Sequence, residues 1–341
     1  MTEPELSTLA QRALAGLGLA SNDARDVARI LVMGDLFGHH THGVGRLESY
    51  GERIDAGAIK ADATIRIEAV APAIAKVDGA GAIGPLVGMR ALDAAMERAR
   101  QFGVGVALVR NGNHFGAIAP YCHLAAEQGF ASIIGSNASV TIAPTGGREE
   151  RLGNNPLGIG VPFPGARPVI LDMAMSVVAR GKIRAALKRG ESIPATWATD
   201  REGKSTTDPK AALDGFLLPF GDYKGYGLAL MVDLIAGLLS GAAYLTHVNS
   251  WVEQPEAPGN LGHFFILLDT SRLGSPEWLA ARMADFASIV HGTPPANPLE
   301  PVLLPGEKEM DHFERQRRDG IDVDPALRAR LEAYAARVPQ N

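Results

Sequence analysis

The sequence is short of several features, and each shortage argues against a class of protein. Cys122 is the only cysteine in 341 residues, so no internal disulfide forms and the chain suits a reducing compartment. Lys and Arg number 33 against 38 Asp and Glu, and the net charge of -5 argues against a nucleic-acid partner. The most apolar segment, 226–240, is shorter than the ~20 residues of a membrane span and contains Asp233. We therefore expect a buried core helix there and no membrane partner.

The signatures of common hydrolases and zinc enzymes are also missing. The sequence contains no H-E-x-x-H motif, no paired cysteines and no G-x-S-x-G motif. His39, His40 and His42 nevertheless lie close together, and with His114 or His123 they could supply a metal site. We expect no bound metal, but a metal-dependent lyase or hydrolase remains an alternative that a metal analysis and a chelator test would distinguish.

The N-terminal segment is acidic. It carries Glu3, Glu5, Asp23 and Asp26 where a secretory signal would have a basic start followed by an apolar run. Together with the single cysteine, this predicts a cytoplasmic protein.

The densest polar chemistry lies in Gly34–Tyr50, GDLFGHHTHGVGRLESY. If a helix begins at about His42, then His42, Arg46 and Tyr50 follow at i, i+4 and i+8 and share one face. The opposite face then carries Val44, Leu47, Gly51 and Ile54. Arg offers parallel donors to a carboxylate, and His exchanges a proton near neutral pH. The stripe predicts a receptor for a small carboxylate that has a carbonyl or hydroxyl beside it, whereas a surface helix facing water is the alternative.

The periodicity of apolar residues predicts both helices and strands along the chain. Helices are predicted at 5–17, 24–36, 84–101, 117–128, 176–189, 226–240, 276–290, 309–318 and 325–338. Strands are predicted at 64–69, 73–77, 104–109, 130–134, 157–161, 169–172 and 262–269.

One turn in this order imitates a dinucleotide-binding motif. Gly79-Ala-Gly-Ala-Ile-Gly84 matches G-x-G-x-x-G between a strand and a helix. The next strand ends in Arg110-Asn111, without an acidic residue to hold a ribose. A tight glycine turn with a structural role is therefore the alternative.

Three further polar positions stand at the ends of predicted elements. His114 follows a buried strand, which is where α/β proteins place reactive groups, although it could equally cap the next helix. Asp172 ends a strand, and Lys224 lies at the start of a helix whose unpaired amides attract anions. The basic helix at 176–189 could hold a cofactor phosphate or simply face water.

Taken in order, several motifs resemble those of the type-2 malate/L-lactate dehydrogenases. That family includes ureidoglycolate dehydrogenase, 2,3-diketogulonate reductase, sulfolactate dehydrogenase and piperideine-2-carboxylate reductase. The motifs span almost the whole chain: Gly38-His-His-Thr-His-Gly-Val-Gly-Arg-Leu47, Asn113-His-Phe-Gly116, Gly153-Asn-Asn-Pro156, Asp172-Met-Ala, Arg180-Gly-Lys182, Trp197, Thr206-Thr-Asp-Pro209, Lys224-Gly225 and Pro305-Gly-Glu307.

The resemblance implies a mixed α/β fold that binds NAD or NADP without a Rossmann fold, and it implies a homodimer or a larger assembly. The Gly79–Gly84 turn is then not the cofactor loop. We predict an N-terminal helical region, 1–70, that carries substrate and catalytic residues, an α/β core with the cofactor region, 71–300, and a C-terminal helical region, 301–341, that packs back on the N-terminal part. The implied reaction moves a hydride between NAD(P)(H) and a small 2-hydroxy acid or 2-oxo acid, or reduces a cyclic imine acid.

Site residues follow from the matching positions. His42 and His114 are the candidate acid/base pair, and Arg46 would hold the substrate carboxylate with help from Thr41 and Tyr50. Cofactor contacts are expected at Asn137, Asn155, Asp172, Met173, Ala174, Lys224, Gly225, Gly306 and Glu307.

The chain departs from the family pattern at two places. It has His40-Thr41 where the family usually has Asp-Ser, and Asn154 in a motif that usually reads Thr-Asn-Pro. The first change puts a possible cation beside the site and bears on substrate choice or pH dependence. The second touches the cofactor loop. A non-catalytic dimer that keeps the fold is a further alternative, which nicotinamide binding would exclude.

Overall fold

The computed structural model describes residues 1–251 and 254–337, and its centre is a seven-stranded mixed sheet. The strands are β1 Arg66–Ala71, β2 Ile74–Asp78, β3 Val104–Gly112, β4 Phe130–Ser136, β5 Val140–Ile142, β6 Leu152–Gly153, β7 Leu157–Val161, β8 Val169–Met173 and β9 Leu261–Asp269. The sheet order is β1-β2-β3-β9-β4-β7-β8, while β5 and β6 form a separate ribbon. Only β2 and β3 run parallel within the described sheet, and the other neighbours are antiparallel.

The helices surround this sheet. They are α1 Glu3–Gly16, α2 Ser21–Leu36, α3 Arg46–Asp55, α4 Gly84–Phe102, α5 Ala119–Glu127, α6 Arg180–Arg189, α7 Pro209–Asp214, α8 Tyr223–Asp233, α9 Pro276–His291, α10 Glu307–Asp319 and α11 Pro325–Ala335. A π-helical segment, Leu234–Leu239, continues α8. Several helices begin with proline in the first turn, where its missing N–H costs nothing.

The main core lies between one face of the sheet and the helices α1, α2, α4 and α5. Here α4 rests directly on β3: a Cβ atom at Gly105 would be 1.9 Å from the Ala95 carbonyl oxygen. The C-terminal α11 lies on α1 just as closely, because a Cβ at Gly16 would be 1.9 Å from the Tyr334 carbonyl oxygen. Both chain ends therefore contribute to one core, and the region boundaries stay a prediction.

The predicted helix start at His42 is wrong. His40–His42 form a 3-10 turn, and α3 begins at Arg46. The reason lies in Gly43, whose extended backbone (φ -89°, ψ -153°) interrupts the helical path after His42. The apolar face is nevertheless buried at Val44 and Leu47, and Tyr50 is buried as well.

The segment at 226–240 is helical, but the prediction of a buried core helix is wrong for half of its surface. Ala229, Val232 and Ala236 are buried, and Tyr226, Leu230 and Ile235 pack partly buried against the same core. The exposed large side chains of this segment are Leu228, Met231, Leu234, Leu238 and Leu239. Within the described residues, no helix is both long enough and apolar enough to cross a membrane.

Other boundaries also differ from expectation. The helix predicted at 176–189 begins only at Arg180, because Ser176 forms a bridge with Pro219 and its hydroxyl donates to the Val178 carbonyl oxygen. The last helix ends at Ala335, and residue 338 of the prediction lies outside the described residues.

Candidate active site

A buried carboxylate shapes the turn that carries His42. Asp35, at the end of α2, accepts hydrogen bonds from the Val44 amide at 2.8 Å and lies 3.2 Å from the Nδ1 atom of His40. Gly43 lies so close to this carboxylate that a Cβ atom there would be 2.1 Å from Asp35 Oδ1. The chain therefore turns sharply after His42, and only glycine fits at the bend.

Arg46 begins α3 and reaches back over this turn. Its Nε atom donates to the Thr41 carbonyl oxygen, and the Thr41 hydroxyl lies 2.9 Å from His42 Nδ1. No carboxylate of the described residues pairs with the guanidinium, and burial lowers the pKa of Arg46. A partly buried cation without a counter-ion is a ready receptor for an anion.

His114 lies in the loop that follows β3. The Asn113 side-chain amide donates to the carbonyl oxygens of Gly81 at 3.1 Å and Ala82 at 2.8 Å. A Cβ atom at Gly84 would be 2.0 Å from the His114 carbonyl oxygen. The glycine motif thus forms a tight turn packed against the His114 loop, as the structural alternative predicts.

His263, on β9, packs against the same loop through Phe115. Its ring stacks on Phe115 with centroids 4.2 Å apart, and its Nδ1 atom lies 2.8 Å from the Ser136 hydroxyl. Burial lowers the pKa of His263 to about 3, so the ring is a neutral support at physiological pH.

Tyr50 fixes the imidazole of His114. The phenol oxygen lies 2.7 Å from His114 Nδ1 and 3.1 Å from the His114 carbonyl oxygen. The phenol has a single hydrogen, so both contacts are hydrogen bonds only if the phenol donates to the carbonyl and Nδ1–H donates to the phenol. In the neutral ring, His114 Nε2 then keeps its lone pair for a substrate proton.

Trp251 closes one side of this space, and sequence reasoning missed it. Its ring stacks on His114 with centroids 4.8 Å apart, and the Arg46 guanidinium carbon lies 5.2 Å from its centroid. The His42 and His114 ring centroids are 5.3 Å apart. The four side chains therefore surround one space. The signal available in the sequence was a lone tryptophan in a segment that contains proline and glycine, 249–260.

The loop that presents Trp251 is tethered to α3. Arg53 donates through its two terminal nitrogens to the carbonyl oxygens of Pro255 at 2.9 Å and Ala257 at 2.8 Å. The helix that carries Arg46 thus also positions the aromatic ring that Arg46 contacts.

The electrostatics keep both imidazoles neutral. Burial first, then the charges of Arg46 and His39, lowers the pKa of His42 to about 3. Burial and Arg46 also hold the pKa of His114 well below its usual value, whereas burial raises the pKa of Tyr50. At neutral pH the free site therefore offers two proton acceptors and one protonated phenol.

A cleft of about 400 Å³ adjoins the turn, between β8, the start of α5 and the segment before α10. Asp172 lines it, and its Oδ2 atom accepts from the Ile118 amide at 2.9 Å and the Ala119 amide at 2.8 Å. Gly306 lines it as well, and a Cβ there would be 2.5 Å from the Ile170 carbonyl oxygen. Glycine thus keeps the wall of the cleft open.

The groups in this cleft fit a nucleotide cofactor. Asp172 Oδ1 carries no hydrogen bond within the described residues, so it is free to accept from ribose hydroxyls. His39 Nε2 is buried in the cleft wall and likewise has no partner in the described part of the chain. The volume lies within the roughly 300–1,000 Å³ of ligand pockets.

Three other expected cofactor residues lie near the end of β8. Met173 and Ala174 follow Asp172 directly. Gly225 packs beside them, because a Cβ there would be 3.0 Å from the Met175 carbonyl oxygen. Lys224 is exposed at the start of α8.

The remaining expected cofactor residues are committed to internal hydrogen bonds. Asn155 donates to the Ala229 carbonyl and accepts from the Ala138 amide, both at 2.9 Å. Asn137 donates to the Ala243 carbonyl oxygen at 2.7 Å and accepts from the Gly262 amide at 2.9 Å. Glu307 accepts from the Leu304 amide at 2.8 Å and lies 2.9 Å from His291 Nε2. These side chains hold backbone segments in place, and their contact with a cofactor stays a prediction.

The histidine cluster diverges. His40 turns toward Asp35 and His312, His42 toward Thr41 and His114, and His39 toward the cleft. Across residues 1–251 and 254–337, no three His, Cys, Asp or Glu side chains lie close enough to hold a metal ion. The geometry gives no support to the metal-dependent lyase or hydrolase.

Comparisons with known proteins show which family the chain is similar to. The sequence model of the family described as malate/L-lactate dehydrogenase matches residues 1–332. The L-sulfolactate dehydrogenase of Methanothermobacter thermautotrophicus is 36% identical over 328 residues, which cover 96% of this chain and 94% of that protein. The Delta(1)-pyrroline-2-carboxylate reductase of Ancylobacter novellus is 34% identical over 333 residues, 98% of this chain and 96% of that protein.

The fold is similar as well. The solved structure of the sulfolactate dehydrogenase from Methanocaldococcus jannaschii superposes with a TM-score of 0.91 at 34% identity, covering 98% of this chain and 96% of that chain. The predicted mixed α/β fold of this kind is therefore confirmed. The chain belongs to the malate/L-lactate dehydrogenase family, and it is an NAD(P)-dependent oxidoreductase of hydroxy acids and oxo acids.

Proposed function

We propose that His42, His114 and Arg46 together carry out the interconversion of a small 2-hydroxy acid, of the malate or lactate type, and its 2-oxo acid. The observation that carries this proposal is the convergence of two imidazoles and an unpaired guanidinium on one space beside the Asp172 cleft. Together these groups meet the needs of the reaction, because the substrate carries a carboxylate next to the carbon whose oxygen gains or loses a proton.

Arg46 is assigned to the substrate carboxylate. Its Nε atom is used by Thr41, while its terminal nitrogens have no carboxylate partner among the described residues. Two parallel N–H donors fix a carboxylate in position as well as in charge. The reacting carbon is then held in one orientation, and the Trp251 ring limits the space beside it.

We assign the proton transfer to the two imidazoles. Tyr50 holds His114 so that Nε2 faces the shared space as an acceptor in the neutral ring. When the ring is protonated, Nδ1–H still donates to the phenol, so Tyr50 supports both states. Thr41 holds His42 through Nδ1 in a similar way. The assignment of the transferred proton between the two rings is part of the test.

The cofactor is NAD or NADP, whose nicotinamide ring supplies or accepts the hydride. Asp172, with Met173 and Ala174, and Gly306 are assigned to it because they lie at the cleft and the end of β8. The family resemblance adds five further residues to the assignment: Lys224, Gly225, Glu307, Asn137 and Asn155.

Reduction of a cyclic imine carboxylate is the second candidate. The pyrroline-2-carboxylate reductase relative favours it, and such a substrate also places a carboxylate next to the reacting carbon. Arg46 would keep the same role, and the proton would pass to the ring nitrogen.

Two further proposals concern the setting of the reaction. We place the protein in the cytoplasm, which suits its single buried cysteine. We also propose that it acts as a homodimer.

The test is a screen of 2-oxo acids and cyclic imine carboxylates with NADH and with NADPH, followed by nicotinamide absorbance. Turnover of a 2-oxo acid, with loss of turnover for its methyl ester, is the expected result, since the ester lacks the charge that Arg46 binds. Absence of nicotinamide binding in a fluorescence titration would overturn the proposal and favour a non-catalytic dimer.

A further inference from the structure

Trp251 contacts two of the three groups to which the reaction is assigned. Its indole stacks on His114 with ring centroids 4.8 Å apart, and the Arg46 guanidinium carbon lies 5.2 Å from the indole centroid. The indole carries no group that titrates near neutral pH, so it neither moves a proton nor balances a charge there. Its contribution to the site is therefore one of shape.

The Trp251 indole is held in place by its own packing and by its loop. The side chain packs partly buried against the main core. Arg53, only 4% exposed, donates to two carbonyl oxygens of the same loop at 2.9 and 2.8 Å. At the end of the loop, the side-chain oxygen of Asn260 accepts from the Asn111 amide at 2.9 Å. The loop is thus anchored to α3 and to the end of β3.

The imidazole that faces the indole is equally constrained. The Tyr50 phenol oxygen lies 2.7 Å from His114 Nδ1. Gly84 packs so closely on the backbone of His114 that a Cβ atom would be 2.0 Å from its carbonyl oxygen. The two rings therefore cannot separate without breaking contacts on both sides.

The spacing of the rings excludes a flat group from between them. A planar group stacked between two rings needs roughly 7 Å, because each contact takes about 3.5 Å. The centroids of His114 and Trp251 are 4.8 Å apart, and those of His42 and His114 are 5.3 Å apart. A phenyl ring could enter this space only if one of the three side chains moved.

The carboxylate of the acid brings its side chain to the same space. When Arg46 binds the carboxylate, the reacting carbon is the next atom of the acid, and the side chain begins one bond further on. A side chain that branches at its first carbon, or carries a ring there, then brings its bulk against the indole and the imidazoles. A methyl or carboxymethyl group adds no such bulk.

We propose that Trp251, fixed by Arg53, determines which acids react: it admits acids with a short, unbranched side chain and rejects acids with a branched or aromatic one. This inference rests on the proposed function, since it takes Arg46 as the carboxylate site. The substrate class is then limited to acids of the size of lactate and malate.

Two variants test the size limit. Trp251→Ala removes the indole, and Arg53→Met removes the donors that hold its loop. The assay measures kcat/KM for 2-oxo acids whose side chain is methyl, carboxymethyl, isopropyl or benzyl. The wild type should favour the better of the two small acids over the benzyl acid by roughly 100-fold or more, since even one misfitting methylene changes such a ratio by about 10- to 200-fold. Trp251→Ala should lower the ratio by at least about tenfold, and Arg53→Met should lower it less.

Trp278→Ala is the matched control for the loss of a tryptophan. Trp278 likewise has an arginine over its ring, Arg282 at 5.5 Å, but both residues belong to α9. Its ratio should equal that of the wild type. Circular dichroism checks the fold of each variant, and Trp251→Leu replaces Trp251→Ala if the latter is unfolded.

Binding without turnover separates this inference from the proposed function. Calorimetric titration in the presence of the oxidised cofactor, which has no hydride to give to a 2-oxo acid, measures the Kd of the same acids. Size-dependent binding that Trp251→Ala relaxes would support the inference even if no acid were reduced. Turnover of the small acids would leave the proposed function standing even if the ratio in Trp251→Ala stayed at the wild-type value. A wild type that accepts the benzyl acid as well as the methyl acid, a wild type that binds neither, or discrimination that persists in full in either variant would overturn the inference.

Discussion

Replacing Gly84 by Ala tests whether the glycine motif supports the His114 loop. The added methyl would lie 2.0 Å from the His114 carbonyl oxygen and 2.4 Å from the Asn113 carbonyl oxygen. Both atoms are backbone, so no side-chain rotation relieves the clash, and the loop must move by about 1 Å to reach ordinary contact. Overpacking of this kind costs about 1–3 kcal/mol. At the average unfolding entropy per residue, the melting temperature of a 341-residue chain falls by roughly 1.4 °C per kcal/mol.

The displaced loop carries His114, so activity should fall more than stability. A shift of about 1 Å in a catalytic group costs on the order of 100-fold in rate. The assay is a thermal melt together with kcat on the acid identified by the substrate screen. Gly181→Ala is the control, because Gly181 also lies in the first turn of a helix and an added Cβ there meets nothing within 4 Å. If Gly84→Ala keeps both wild-type stability and wild-type kcat, the supporting role of this turn is refuted.

Three other outcomes follow from the site. Arg46→Lys keeps the charge but loses the planar fork, so KM for the acid should rise by roughly 10- to 100-fold; unchanged KM and kcat would argue against the carboxylate clamp. His42, His114 and His263 have pKa values that burial lowers below 6.5, so the unfolded chain binds more protons in mildly acid solution. Stability is therefore lost as the pH falls below 6.5, by about 1.4 kcal/mol per histidine between pH 8 and 5.5; a free energy of unfolding that stays flat in chemical denaturation would contradict this. Asp172→Asn should weaken nicotinamide binding about tenfold in a fluorescence titration, since a neutral amide accepts less strongly than a carboxylate; unaltered affinity would remove Asp172 from the cofactor site.

The elements of the fold were predictable where periodicity is strong. The strand Leu157–Val161 and the start of the helix at Gly84 agree with the structure to the residue. The errors arose where a local pattern met a tertiary contact. The pattern placed a helix start at His42, but the Asp35 carboxylate from another helix binds the Val44 amide and bends the chain. Such a contact has no local signature.

The burial of segment 226–240 could not be predicted for a different reason. Hydropathy reports that a segment avoids water, but it does not report whether its own chain or a second copy covers it. Only the folded chain shows that Ala229, Val232 and Ala236 are buried while Leu228, Met231, Leu234, Leu238 and Leu239 are exposed.

Part of the candidate site could be predicted from the sequence. Residue types and spacing placed His42, Arg46 and Tyr50 together, and the family resemblance added His114 from 64 residues beyond Tyr50. Trp251 was not found, because the contacts that bring its loop to the site, such as the Arg53 tether, join residues that lie far apart in the sequence. The neutral state of the imidazoles could not be predicted from the sequence either, because it depends on their burial and on the neighbouring charge of Arg46.

The neutral state of the two imidazoles has different consequences for the two directions of the reaction. Oxidation of a hydroxy acid requires a proton acceptor, and the free site already has two. Reduction requires a proton donor, yet a lowered pKa leaves both rings unprotonated at neutral pH. A carboxylate bound to Arg46 would cancel the positive charge that helps to lower the pKa of both rings, so their affinity for a proton must rise when the acid binds.

Binding and protonation are therefore linked. Association of a 2-oxo acid with the cofactor-loaded protein should take up a fraction of one proton from solution, and it should weaken as the pH rises. Calorimetric titration in two buffers with different ionisation enthalpies measures this uptake directly. The Arg46→Met variant lacks this positive charge, so the pKa of each histidine should be higher than in the wild type before the acid binds. The uptake of protons on acid binding should therefore be smaller in this variant. Binding of the acid with no proton exchange across pH 6 to 8 would show that the pKa of neither imidazole rises into that range, and the proton donor would then have to be a different group.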